Sequence, residues 1–172
     1  MDTDLGRNLI LWTVRASVAL YVVAGWRYLF IVRKSSHVDP CYRWCWLCSW
    51  LMCVIHVSCA YHFEHRWSQS TALAHTAAMT DRVVGINWGG GLYVNYVFLC
   101  YWGFDAVRLL TNPNRSSSVL IHSVAAFMMF NATVVFGPAW WWGPLAIVVA
   151  AFFWQKGRIG TASVAGADGS GS

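Results

Sequence analysis

From about residue 9 to residue 154 the chain alternates between long apolar stretches and short polar ones, and this segmentation constrains the fold more than any motif does. The apolar stretches run from about Leu9 to Val32, Tyr42 to Phe63, Val83 to Phe104, Val119 to Phe136 and Pro144 to Trp154. A helix rising about 1.5 Å per residue needs roughly 20 apolar residues to cross a hydrocarbon core of about 30 Å. The first four stretches meet or approach that length. The fifth is short unless it starts within Trp140–Trp142, and a partly re-entrant segment is the alternative. Only 11% of the 172 residues are charged and 58% are hydrophobic. A soluble domain carries roughly a quarter charged residues. The expected fold is therefore all-α: a polytopic membrane helical bundle of about five transmembrane helices.

The polar segments refine this picture. Asp39-Pro40 is a helix-start signal for the second span, because Pro is tolerated in a first turn. Residues 64–82 are too polar for a span. Ser68, Ser70 and Thr71 offer N-caps, and the helix formers of TALAHTAAMTD predict a short interfacial helix between the second and third spans. Thr111 to Ser118 has the turn chemistry of a loop. The bundle is expected to occupy residues 1–156, with 157–172 as a flexible polar tail.

The net charge of +5 does not mark a nucleic-acid binder. The basic residues fall singly or in pairs at the ends of apolar runs, as in membrane loops. The chain has twelve tryptophans. Trp44, Trp46, Trp67, Trp102, Trp140, Trp141 and Trp142 fall near span ends, where indoles favour the membrane interface. Arg33, Lys34, Arg43, Arg108, Arg115, Lys156 and Arg158 share one side, against Arg7, Arg66 and Arg82 on the other. That imbalance predicts an N-terminus outside and a C-terminus in the cytoplasm. Arg15 lies within the first span, where a charge either finds a partner in the bundle or snorkels to the interface.

Chemistry concentrates between His56 and Asp81, a stretch holding four of the six histidines. Residues three and four apart share a helix face, so Ser58, His62 and His65 align if the helix continues past Phe63. His62, His65 and His75, with Glu64 or Asp81, are the candidate ligands for Zn²⁺, Cu²⁺ or non-haem iron near one membrane face. His56 and His122 lie inside spans and are candidate ligands for haem b, although their depths differ by an axial gap on the order of 10–15 Å.

Three cysteines, Cys41, Cys45 and Cys48, sit at helical spacing on one face of the second span. They read as small packed hydrophobes, with a metal or cluster site as the alternative. Cys53, Cys59 and Cys100 read as buried and reduced. Gly85 and Gly89 make a G-x3-G notch for close helix packing in the third span.

The pattern Ser58-x3-His62, with Asp81 and then Gly85-Ile86, resembles part of the intramembrane hydrolase superfamily of alkaline ceramidases and progestin/adipoQ receptors. That resemblance covers about thirty residues. It implies Ser58 near a catalytic site, His62 as a zinc ligand, and Asp81 orienting a zinc-bound water that cleaves an amide or ester. The family completes its zinc site with H-x3-H in the last of seven spans. Here there is no H-x3-H, so His65 and His75 would complete it. The blocks HFEHRWS, INWGGGLYVNY and FMMFNATVVFG are similar to segments of uncharacterised bacterial inner-membrane proteins. Three functions follow as expectations: a metal or haem subunit beside other subunits of a larger membrane complex, a zinc-dependent intramembrane hydrolase, or a purely structural membrane subunit.

Overall fold

A computed structural model describes residues 2–32, 39–112, 115–135 and 137–168. Arg33 and Lys34, two of the basic residues used above for orientation, lie outside them. Six α-helices are described: α1 (Asp2–Phe30), α2 (Pro40–Phe63), α3 (Gln69–Val84), α4 (Gly91–Thr111), α5 (Val119–Phe130) and α6 (Trp142–Asp168). The chain forms two compact units, Met1–Met129 and Phe130–Ser172.

Two helices are long and apolar enough to cross a membrane: Asp4–Phe30, with mean hydropathy 1.6, and Pro40–Phe63, with mean hydropathy 1.4. They pack antiparallel. Near the N-terminus of α1, Gly6 faces the Phe63 ring, where a Cβ would come within 2.6 Å. At the other end, Arg27 Nε donates to Asp39. Asp39 caps α2 by accepting from Cys41 N at 3.2 Å, and Pro40 follows in the first turn. Midway, Ser17 Oγ donates to Ser49 O at 2.9 Å and Ser49 Oγ donates to Ser17 O at 2.7 Å. Both serines are buried, so each hydroxyl satisfies a helix that has no water beside it. The Arg15 guanidinium lies 5.0 Å over the Trp12 ring.

The short helix expected between the second and third spans is α3. Ser68 is its N-cap and accepts from Thr71 N at 3.3 Å. Its C-cap is Gly85 at φ 73°, a left-handed position that glycine takes without strain. Here the structure corrects the sequence reading. Gly85 and Gly89 are not on a transmembrane helix; α4 begins at Gly91. Gly89 instead lies against α3, where a Cβ would sit 2.7 Å from Leu73 O. Asp81 accordingly belongs to the last turn of α3 rather than opening a span.

α4 runs antiparallel to α2. Trp50 Nε1 donates to Leu99 O at 3.0 Å and Arg43 donates to Leu110 O at 3.0 Å. The core lies toward the Arg43 end and contains Ala24, Tyr28, Tyr42, Trp46, Trp102, Leu109, Ile121 and Ala125. Trp46 and Trp102 are fully buried rather than interfacial, because their flat rings fill the space between α1, α2 and α4. Elsewhere the helices expose large apolar side chains, including Ile55, Val97, Phe104 and Phe127.

In the second unit a π-helical turn, Asn131–Val135, precedes Gly137-Pro138 and the 3-10 turn Ala139–Trp141. A Cβ at Gly137 would overlap Thr133 O, at 2.0 Å. Helix α6 then continues to Asp168, through most of the stretch expected as a polar tail.

Candidate functional site

The connector between α2 and α3 is built by an early stop. Glu64 caps α2, its N–H bonding Ala60 O at 2.9 Å. Arg66 and Trp67 then take left-handed φ values of 47° and 59°. Two such residues in succession reverse the chain, and Ser68 N closes the turn on His65 O at 2.8 Å. The helix does not continue past Phe63, so Ser58, His62 and His65 do not form one stripe.

The reversal brings His65 to His75 on α3. Their ring centroids lie 5.3 Å apart with planes at 60°. His65 is half-buried, with its ring edge-on to Tyr61 at 5.7 Å, and His75 is exposed. Burial, and secondly the neighbouring His75, push the His65 pKa below the ordinary imidazole value. The neutral form that binds metals is thereby favoured. Nearby in sequence, the Tyr61 hydroxyl meets that of Tyr96, and both lie within hydrogen-bond distance of Gln69 Oε1, at 2.8 and 3.1 Å. One amide oxygen thus ties α2, α3 and α4 together.

The other candidates are placed differently. His62 is exposed and accepts from Trp67 Nε1 at 3.2 Å. Glu64 and Asp81 are exposed. Asp81 stands six residues beyond His75 on α3, about 9 Å along the axis and on a different face. Ser58 Oγ donates into its own helix, to Val54 O at 2.9 Å. Among the described residues, no three His, Cys, Asp or Glu side chains come together as a metal-binding group.

Two polar positions tie His56 and His122 to different levels of α1. His56 Nδ1 bonds Ile10 O at 2.9 Å, and Tyr21 OH donates to His122 O at 3.0 Å. Ile10 and Tyr21 are separated by about 16 Å along the axis of α1. Metal–imidazole bonds are about 2 Å long, so these two histidines do not fit a single haem iron.

His122 instead belongs to a buried cluster. Its ring stacks on Tyr28 at 3.8 Å and approaches Trp46 at 4.4 Å, and its Nε2 bonds Tyr42 OH at 2.9 Å. Ser117 Oγ donates to Asp105, which further accepts from Trp46 Nε1 at 3.1 Å and from Arg108 at 2.6 Å. Asp105 is buried with all of these donors around it. Asp105 stands outside the histidine-rich stretch that draws attention in the sequence. The usable signal was a lone carboxylate within an apolar run, with Arg108 three residues on.

No family model, curated protein or solved structure matches this chain.

Proposed function

We propose that this chain is a multi-pass inner-membrane protein that holds a transition-metal ion at its α2–α3 connector, as a small redox or assembly subunit beside a larger membrane complex. The observation that carries the reading is the His65–His75 pair. Two imidazoles sharing a tetrahedral ion through bonds of about 2.1 Å place their ring centroids about 5.2 Å apart. The observed 5.3 Å matches that spacing. His62 and Glu64 are near enough in sequence, and exposed enough, to supply a further ligand by side-chain rotation. Membrane residence is supported by α1 and α2, whose most apolar windows are only 17% and 11% buried within the chain. A soluble core helix would bury most of such a surface. An ion with an open position would also activate a water, which is the route to the hydrolytic alternative.

The test is metal content. The full chain is purified in detergent and its zinc, copper and iron are measured. One ion per chain is expected, reduced several-fold in both His65→Ala and His75→Ala and unchanged in His56→Ala. Metal content indifferent to His65 and His75 overturns the reading. Turnover of a lipid amide or ester by the zinc-loaded chain, lost with the zinc, would select the hydrolase.

A further inference from the structure

The Arg43 end of the α2–α4 pair carries more positive charge than it neutralises. Asp39 and Asp105 are the acidic residues of this end. Asp39 is paired with Arg27, and Asp105 with Arg108. Arg43 is half-buried, and among the described residues no carboxylate comes within ion-pairing distance of it. Its guanidinium donates to Leu110 O at 3.0 Å, in the last turn of α4, while its Nε is buried without a hydrogen-bond partner. A second such cation stands close by. Arg108 donates to Ser116 O at 3.4 Å, and the residue before Ser116 is the exposed Arg115, whose N–H bonds Asn112 O at 3.1 Å just past the end of α4. Two uncompensated guanidiniums thus flank the C-terminus of α4. The carbonyls there attract them, but a neutral carbonyl leaves the net charge in place.

The surface beside them is apolar and bare. Phe104 and Val107, on one face of α4 just before this end, are exposed, and so is Trp44 next to Arg43. Cations at the edge of an uncovered apolar helix face complement an amphiphile. A guanidinium presents a planar fork of N–H donors that matches two phosphate oxygens. An indole at the same level suits the polar–apolar boundary of a lipid.

We propose that Arg43 and Arg115 hold the phosphate of an anionic glycerophospholipid at the end of α4, with an acyl chain along Phe104 and Val107. The proposal rests on the membrane residence argued above and is independent of the metal. An anionic headgroup supplies the counter-charge that the chain lacks at this end. A choline headgroup carries its own cation beside the phosphate and gains less from the two arginines.

The test uses the full chain in detergent, stripped of lipid and offered equal amounts of phosphatidylglycerol and phosphatidylcholine, with bound lipid counted by native mass spectrometry. Phosphatidylglycerol is expected to be retained several-fold over phosphatidylcholine. That preference falls several-fold in Arg43→Gln and in Arg115→Gln, and persists in Arg7→Gln and in the His65→Ala/His75→Ala chain. Arg115 is exposed, so its variant gives a clean result even where loss of Arg43 disturbs α4. An alkaline carbonate wash of membranes holding the chain is the second arm. A chain extracted by the wash fails the membrane reading and this proposal with it. A chain that stays in the membrane but retains the two lipids equally fails only this site. A preference unchanged in both arginine variants, or phosphatidylglycerol displaced by inorganic phosphate, also overturns the proposal.

Discussion

At His65 the consequence of burial is a pH dependence with a definite sign. The folded chain holds this imidazole below its ordinary pKa, so the unfolded chain takes up the proton first as pH falls. Stability is full above about pH 6.5 and declines below it, until the lower folded value is passed. Protons displace a bound metal in the same window. A thermal melt series from pH 7.5 to 5 is expected to show a falling midpoint, flattened in His65→Gln. Asp105 makes a second prediction at this scale. Removing its carboxylate strands Arg108 and the Trp46 indole N–H, so Asp105→Ala is expected to cost roughly 2–4 kcal/mol. Detergent denaturation monitored by tryptophan fluorescence measures it. Trp46→Phe, which removes one donor and keeps a ring in the core, costs less, about 1 kcal/mol.

Among the elements, α3 is the one whose placement matters most, because it carries His75 to His65. Its start and its fit against the Gly89 segment can each be weakened separately. Ser68→Ala removes the N-cap and is expected to lower stability by about 1 kcal/mol. Gly89→Ala forces a Cβ against the Leu73 carbonyl and is expected to cost roughly 1–3 kcal/mol. Both variants should also weaken metal binding, read by competition with a chelator, since either shifts His75. The start of this helix was legible to within a few residues, because Ser68, Ser70 and Thr71 each offer a capping oxygen and Ser68 is the one that takes the role. Its end was not. Gly85, Gly89, Gly90 and Gly91 lie in a continuous apolar sequence, and hydropathy alone does not separate a left-handed cap from a helix interior. The same limit hid the turn after Phe63: Arg66 and Trp67 are not residues that advertise a positive φ. Asp39-Pro40 announced α2 plainly because a capping carboxylate and a proline have few other uses side by side.

For the whole molecule, the apolar exterior and the placement of charge argue together. The Arg43, Arg108 and Asp105 groups gather at one end of the α2–α4 pair, and the histidine connector with Arg66 lies at the other end of α2. With the basic-rich end cytoplasmic, a reporter inserted after residue 70 is expected to be accessible from outside intact cells; protection there would reverse the orientation. The paired bonds between Ser17 and Ser49 carry one last consequence. Each serine hydroxyl serves the other helix's carbonyl, and both bonds fail together if either helix slides by a residue. In lipid, neither group has water to fall back on. Under the proposed membrane placement, the two helices gain from entering the bilayer side by side rather than one at a time. Ser17→Val with Ser49→Val removes both bonds, and under the proposed membrane placement the double variant is expected to leave a measurable fraction of chains with α2 outside the bilayer, read by protease protection.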